Sequence, residues 1–240
     1  MNTNNNSYTL LYATVMVVIV ALVLAFVSGS LKEIQTTNVE LDKMKQILSS
    51  LNIDTKDQDA KALWNKYITQ QLVVNSSAEV VASPKAEAFD IILKKELAKK
   101  LEDRELPLFI ANIDGVSKYV ISVYGAGLWG PVWGYVALNE DMNTIYGTYF
   151  SHSSETPGLG AEIALKGFQD LFIGKSILND QREFMSIAIV KPGQTVAGQD
   201  YVDGISGGTI TSKGVEKMLS DCLGQYAAYF KQSTEGGTAQ

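Results

Sequence analysis

The feature that most constrains this chain is an uncharged apolar run near its beginning. Residues Leu10 to Val27 read LLYATVMVVIVALVLAFV, 18 residues without a charged side chain. A helix of that length is about 27 Å long, close to the thickness of a bilayer's hydrocarbon core. A cleaved signal peptide would have a basic start and a shorter apolar core, but the first nine residues contain no Lys or Arg. We therefore predict an uncleaved transmembrane helix over 10–27, after an N-terminal tail over 1–9.

Apolar residues continue at helical spacing beyond this run. They are Leu31, Ile34, Leu41, Met44, Ile47, Leu48 and Leu51. This spacing predicts a helix over 28–56 that either packs its apolar stripe on the following domain or serves as a plain juxtamembrane linker. The flanking charges of Lys32 and Glu33 cancel, so charge does not indicate which way the span is oriented.

Composition excludes several classes of protein. The formal net charge of −6 and the absence of a basic stripe argue against nucleic acid as a partner. The chain has one cysteine, Cys222, and one histidine, His152. An internal disulfide, a cysteine-based zinc or iron–sulfur site and a haem held by two histidines are therefore excluded within this chain. Redox chemistry would need an organic cofactor or other subunits.

The remaining pattern predicts an α+β domain over 57–232 and a flexible tail over 233–240. Helices are expected over 57–74, 84–101, 161–172 and 213–230, the last capped by Thr211 or Ser212. Strands are expected over 108–113, 117–124, 133–138, 144–150 and 186–190. The first four strands are consecutive, which predicts an antiparallel sheet flanked by helices.

Three glycine-rich segments interrupt these elements. They read GAGLWGPVWG over 125–134, HSSETPGLG over 152–160 and DGISGGTITS over 203–212. Each has a plain structural interpretation: a hairpin loop, a strand-to-helix loop in which Glu155 and Thr156 cap the helix, and a flexible turn before a helix. The first could instead bring backbone close to a planar ligand, with Leu128 and Trp129 as apolar walls.

The third segment has the chemistry of an anion site. Glycines leave backbone amides free, hydroxyl groups line the turn, and the helix that follows points its positive end at the turn. It lacks the Gly-Lys-Ser/Thr of a Walker loop and the surrounding βαβ unit of a dinucleotide fingerprint. Residue chemistry alone stops at an anion-binding turn.

Together the three segments resemble the C subunit of the Na+-translocating NADH:quinone oxidoreductase. The covalent flavin motif of that family matches Asp203-Gly204-Ile205-Ser206-Gly207-Gly208-Thr209, so its acceptor threonine falls on Thr209. Gly208 stands where alanine is usual. The G subunit of Rnf-type complexes shares the threonine motif and the anchor, whereas the LWGP run followed by Trp133 and Gly134 favours the Na+-translocating quinone reductase.

The resemblance implies a membrane-anchored subunit with FMN joined to Thr209 by a phosphoester. It implies a soluble domain on the outer side of the bacterial inner membrane, other complex subunits as partners, and a flavin transferase that uses FAD and Mg2+. It also implies single-electron relay, with no catalytic base in this chain. The alternatives left open are an Rnf-type subunit, a module that binds flavin or phosphate non-covalently, and a structural anchor.

Roles for the cofactor-binding residues follow from the same resemblance. Gly207, Gly208, Ser206 and Thr211 are expected around the phosphate or ribityl chain, and Asp203 is expected to orient the loop. Lys191 could place a positive charge near the phosphate or the ring. The expected ring contacts and walls are Leu128, Trp129, Glu155, Thr156, Leu159 and Gly160.

Overall fold

The computed structural model describes residues 5–77 and 79–230, which form parts of two compact units, Met1–Lys43 and Met44–Gln240. The first unit is helical. Helix α1, Asn6–Ser50, runs through it without a break and continues into the start of the second unit. In the described part of the chain it is the one helix long and apolar enough to cross a membrane, with a mean hydropathy of 2.9 over its best 18 residues.

The predicted boundaries along this helix therefore change. Residues 6–9, expected in a tail, are already helical, and no break separates the predicted span over 10–27 from residues 28–50. Of the apolar stripe, Ile47, Leu48 and Leu51 are buried in the core of the second unit, and Met44 packs against the same core. The C-terminal tail predicted over 233–240 lies outside the described residues.

A five-stranded antiparallel sheet forms the centre of the second unit, with its strands adjacent in chain order. The strands are β1 Ile68–Val74, β2 Leu106–Ile113, β3 Val116–Ala126, β4 Pro131–Leu138 and β5 Ile145–His152. Alternate residues on each strand point to opposite faces. Leu108, Ile121 and Val136 are paired across the sheet and enter one core, while their neighbours Phe109 and Val120 enter the other.

Both faces of the sheet are covered. The face with Leu108 packs against helix α5, Thr209–Leu223, and the aromatic residues that follow β5. The face with Phe109 packs against the end of α1, Trp64 of helix α2 (Ala60–Tyr67), and the segment around Ala88. The α+β prediction and the antiparallel sheet flanked by helices are confirmed.

The helix predicted over 57–74 is wrong in its second half. Helix α2 begins after Asp59, whose side chain accepts hydrogen bonds from the amides of Lys61 and Ala62, and it ends at Tyr67. The next seven residues form β1, which pairs with β2. Ile68, Val73 and Val74 are β-branched and suit a strand, and pairing with the edge of the sheet outweighs the helical spacing.

The helix predicted over 84–101 is reduced to helix α3, Leu93–Leu97, and the 3-10 turn Leu101–Asp103. Ala88 and Ile91 are buried in the core on one side of the sheet, whereas Leu93 is buried in the core on the other side. The chain must therefore pass around the sheet within a few residues, which a continuous helix cannot do.

The helix predicted over 161–172 is broken into the 3-10 turns Gly160–Ala164 and Asp170–Phe172 with helix α4, Lys166–Gln169, between them. Ile163, Phe168 and Phe172 are all buried in the same core. At about 100° per residue, a continuous helix would place Phe168 and Phe172 roughly 140° and 180° away from Ile163. The extended residue Leu165 breaks the helix and lets all three face inward.

Two short parallel strands complete the unit, β6 Ala188–Val190 and β7 Tyr201–Asp203. The sequence predicted β6, beginning two residues earlier, but not β7. Helix α5 also begins earlier than predicted, at Thr209, and it ends at Leu223 before the 3-10 turn Gly224–Tyr226. The residue that precedes α5 is Gly208, so neither Thr211 nor Ser212 is its N-cap.

Candidate functional site

Two cavities meet at Thr209, the first residue of α5. One, of about 280 Å³, is lined by the end of β6 and the turn before α5. The other, of about 420 Å³, is lined by parts of all three glycine-rich segments. Gly207 and Thr209 belong to the walls of both cavities. The fold therefore brings the three segments together around Thr209, which is exposed.

The first cavity is built by the parallel pairing of β6 and β7. The carboxyl ends of parallel strands lie at the same edge, so the residues after each strand become neighbours. The amide of Gly204 donates to the carbonyl of Val190 at 2.7 Å. This contact holds Lys191 beside the turn that leads to Thr209, and Lys191 and Ser206 both line the cavity.

A second cation lines the same cavity, and the sequence did not single it out. Lys213 projects from the first turns of α5 and forms an ion pair with Glu216. Lys213 follows Thr209 by four residues, which is about one helical turn, and this spacing could have identified it as a neighbour of Thr209. Gln194 and Ser212 add further polar groups to the wall.

The second cavity has an apolar rim. Leu128, Trp129, Leu159 and Ile210 line it and are all exposed, Trp129 to 66%. Exposed apolar groups gathered around a cavity are typical of a ligand site. Ile210 was not among the predicted residues. Thr156, Gly160 and Gly208 complete the wall near Thr209.

Glu155 joins the three segments from beneath this cavity. Only 5% of its surface is exposed. Its Oε1 accepts a hydrogen bond from the amide of Trp129 at 2.9 Å, and its Oε2 accepts one from the hydroxyl of Thr211 at 2.5 Å. Its own amide donates to Nδ1 of His152 at 3.2 Å. Glu155 thus contacts the β3–β4 loop and α5 as well as its own loop.

The hydroxyl groups near the start of α5 differ in availability. Thr211 and Ser212 are 1% and 3% exposed. The Thr211 hydroxyl donates to Glu155, and the Ser212 hydroxyl accepts from the amide of Ile205 at 3.0 Å. Thr209 is exposed and opens a helix that no described side chain caps, so the amides of its first turn are available to a ligand.

Almost all of the predicted site residues line these cavities. The exception is Asp203, which ends β7, is exposed and lines neither of them. Thr211 lines the second cavity, but its hydroxyl is already bonded to Glu155. Cys222 lies in the core under the sheet, and burial raises the pKa of its thiol to about 11, so the thiol stays protonated at neutral pH.

The turn before Thr209 depends on glycine at position 207. Gly207 has a φ of +74°, and a β-carbon there would lie 2.6 Å from Cδ2 of Leu159. Gly208 has an ordinary φ of −106°, but a β-carbon there would lie 2.9 Å from Cγ2 of Ile205. Ile205 therefore occupies the space that the usual alanine methyl of the motif would need.

We expect Gly207→Ala to destabilise the chain by about 1–2 kcal/mol, because an L-residue is strained at this φ and Leu159 must move. Thermal unfolding of the full-length protein in detergent would measure the change. Gly167→Ala is the matched control, since a β-carbon there meets nothing within 4 Å and Gly167 lies in helix α4. Equal effects of the two substitutions would contradict the expectation.

The FMN-binding domain family model matches residues 127–224, a span that holds the second and third glycine-rich segments and all but the first two residues of the first. The C subunit of the Na+-translocating NADH-quinone reductase of Haemophilus ducreyi is 31% identical over 249 residues, covering 96% of each chain. The chain belongs to this family of C subunits. The C subunit from Pseudomonas aeruginosa is 29% identical and covers 93% of this chain.

Two solved structures agree with this fold. The crystal structure of the C subunit from Parabacteroides distasonis is 46% identical and superposes with a TM-score of 0.78, covering 83% of this chain and 96% of that one. The Shewanella oneidensis protein NqrC, 24% identical, superposes with a TM-score of 0.68, which supports the fold.

Proposed function

We propose that this chain is a membrane-anchored subunit of a Na+-translocating NADH-quinone reductase and carries FMN through a phosphoester on Oγ of Thr209. The main support is the position of Thr209, whose exposed hydroxyl lies where a cavity with two lysines meets a cavity with an apolar rim. The names of the relatives favour this complex over an Rnf-type complex.

The residues around Thr209 suit the phosphate of FMN. The first turn of α5 offers backbone amides and the positive end of the helix dipole, which favour an anion. The glycines at 207 and 208 leave little bulk over these amides, and Ser206 adds a hydroxyl on the first cavity. Lys191 and Lys213 would offset the negative charge of the phosphodiester. Asp203 is exposed at the end of β7, where it would orient the turn or meet the transferase.

The second cavity suits the ring of FMN. Leu128, Trp129 and Leu159 would contact its apolar faces, and Thr156 with the backbone of Gly160 would contact its polar edge. The ring would cover side chains that are otherwise exposed to solvent. This would remove apolar surface from water and hold the cofactor in one orientation.

Attachment would follow from the nucleophilic hydroxyl of Thr209. A flavin transferase using FAD and Mg2+ would join Oγ to the FMN phosphorus as the diphosphate bond of FAD breaks and AMP leaves. The hydroxyl proton passes to a base of the transferase. An exposed acceptor is required because the transferase must reach it, and the buried hydroxyls of Thr211 and Ser212 do not meet that requirement.

The bound FMN would supply reversible single-electron chemistry, and this chain would position it between the cofactors of neighbouring subunits. Helix α1 would anchor the chain in the bacterial inner membrane, with the domain from Met44 onward on the outer side. Covalent attachment would keep the cofactor in place at a site open to solvent, where a dissociating flavin would be lost.

Mass spectrometry tests this proposal directly. Full-length protein is produced with an active flavin transferase, denatured and digested. The expected result is the mass of FMN on the peptide that contains Thr209. Flavin that is released entirely by acid or heat would support the non-covalent alternative, and an FMN mass on Ser206, Thr211 or Ser212 would overturn the assignment of the acceptor.

A further inference from the structure

We propose that Glu155 is a positioning residue that holds the wall of the second cavity and the first turn of α5 in one arrangement around Thr209. The carboxylate is nearly buried and bonds both to the Trp129 amide and to the Thr211 hydroxyl. These two partners are 82 residues apart in sequence, since 211 − 129 = 82. The positioning role of Glu155 does not depend on the proposed function. Only the expected effect of Glu155 on flavin loading rests on that proposed function.

The surrounding glycines fit the carboxylate closely. A β-carbon at Gly127 would lie 2.5 Å from Oε1 of Glu155, and one at Gly160 would lie 2.5 Å from Oε2. Each carboxylate oxygen is thus enclosed by a backbone that leaves no room for a side chain. Glycine at 127 and 160 is therefore explained by the space that Glu155 and its partner Thr211 take up, independently of any ligand.

A second contact holds the Trp129 loop to the same segment. The hydroxyl of Ser154 donates to the carbonyl of Trp129 at 3.1 Å. The amide and the carbonyl of Trp129 are therefore both bonded to neighbouring residues of the 152–160 segment. The Ser154 contact is on the exposed side of the loop, whereas the Glu155 contact is partly buried, so water can replace the first more easily than the second.

Among the described residues the carboxylate forms no ion pair, since the four ion pairs found there join other side chains. The ring of His152 accepts a hydrogen bond through Nδ1 from the backbone amide of Glu155. A buried carboxylate without a cation depends on its hydrogen-bond donors, and the donors depend on it in turn. Removing Glu155 should therefore loosen both distant segments together.

Hydrogen exchange on the full-length, flavin-free protein in detergent tests this inference. In Glu155→Ala, we expect exchange to accelerate roughly tenfold to a hundredfold at the Trp129 amide, which loses its acceptor, and at the paired amides of residues 212–215, because the start of α5 loses its contact through Thr211. Glu155→Gln keeps the shape: its carbonyl oxygen can accept from the Trp129 amide, and its NH2 group can donate to the Thr211 hydroxyl, so it should restore slow exchange in both peptides. Glu155→Asp, which is shorter by one methylene, serves as the test variant if the alanine variant does not fold.

Glu162→Ala is the matched control. Its carboxylate lies in the same stretch of chain and accepts from the amide of Gly158, but it lines neither cavity. We expect no acceleration at Trp129 or at residues 212–215. Acceleration confined to residues 153–160 in Glu155→Ala, or a glutamine variant that exchanges as fast as the alanine variant, would overturn the inference.

The spectroscopic readout uses protein produced with the flavin transferase. Glu155→Ala should lower the flavin fluorescence anisotropy and the fraction of chains loaded, and Glu155→Gln should restore both. Unchanged loading and anisotropy in Glu155→Ala would overturn the link to the flavin. The exchange measurement needs no flavin, so Glu155 can be tested even if wild-type protein carries no FMN on Thr209.

Discussion

Thr209→Val should abolish covalent flavin and reduce NADH-driven quinone reduction by the assembled complex to background. Valine has nearly the shape of threonine but offers no hydroxyl, so a phosphoester cannot form. Thr209 is exposed at the first position of α5, and its replacement should change the free energy of unfolding by less than about 1 kcal/mol. Flavin fluorescence of the denatured subunit and activity of membrane vesicles are the two measurements.

Two companion variants make the Thr209 result specific. Ser206→Ala removes another exposed hydroxyl from the same turn, and we expect it to keep covalent flavin. Thr209→Ser keeps a hydroxyl at the acceptor position and should retain some attachment. A Thr209→Val complex with full quinone reductase activity would instead indicate that the subunit is a structural anchor.

Phe172→Ala should destabilise the domain by about 3–5 kcal/mol, the usual cost of removing a fully buried phenyl ring. Phe172 has no exposed surface and packs edge-on against Phe150 at 5.3 Å and Phe168 at 5.4 Å between ring centroids. These rings hold the segment after the 152–160 loop against β5. At about 2–4 °C per kcal/mol for a chain of this size, the melting temperature should fall by roughly 6–20 °C.

The adjacent residue provides the control for this substitution. Leu171 belongs to the same 3-10 turn but is 42% exposed, so Leu171→Ala should change stability by less than about 0.5 kcal/mol. Thermal unfolding of the full-length protein in detergent, followed by circular dichroism, measures both. Similar melting temperatures for the two variants would show that the ring of Phe172 contributes little to the core.

The local sequence was sufficient to predict the structure of a segment where that structure depends on the segment's own residues. The β-rich composition of 108–113 predicted β2, and the structure buries Leu108 on one face of that strand and Phe109 on the other. The run over 10–27 predicted an apolar helix by length and composition, and α1 includes it. The anion site expected over 203–212 stays a prediction, and residues 204–212 line the two cavities.

The sequence predictions were wrong where contacts between distant residues determine the local structure. Residues 68–74 resemble a helix in isolation but pair with β2, and residues 161–172 break at Leu165 so that three side chains can share one core. Lys213 was missed because its relevance depends on β6 and β7 lying parallel beside α5. Strand pairing and the burial of several side chains in one core both depend on residues far apart in the sequence, so a short stretch of sequence does not reveal them.

Residue type and local spacing are enough to identify the apolar run near the start of the chain and the three glycine-rich segments, but they leave Thr209, Thr211 and Ser212 as neighbouring hydroxyls of one turn. The tertiary structure decided which hydroxyl is available. Folding buries Thr211 against Glu155 and Ser212 against the amide of Ile205, and leaves Thr209 exposed where the two cavities meet. Burial and hydrogen bonding arise only when distant segments pack together, so they distinguish three neighbouring hydroxyls that look equivalent in the sequence.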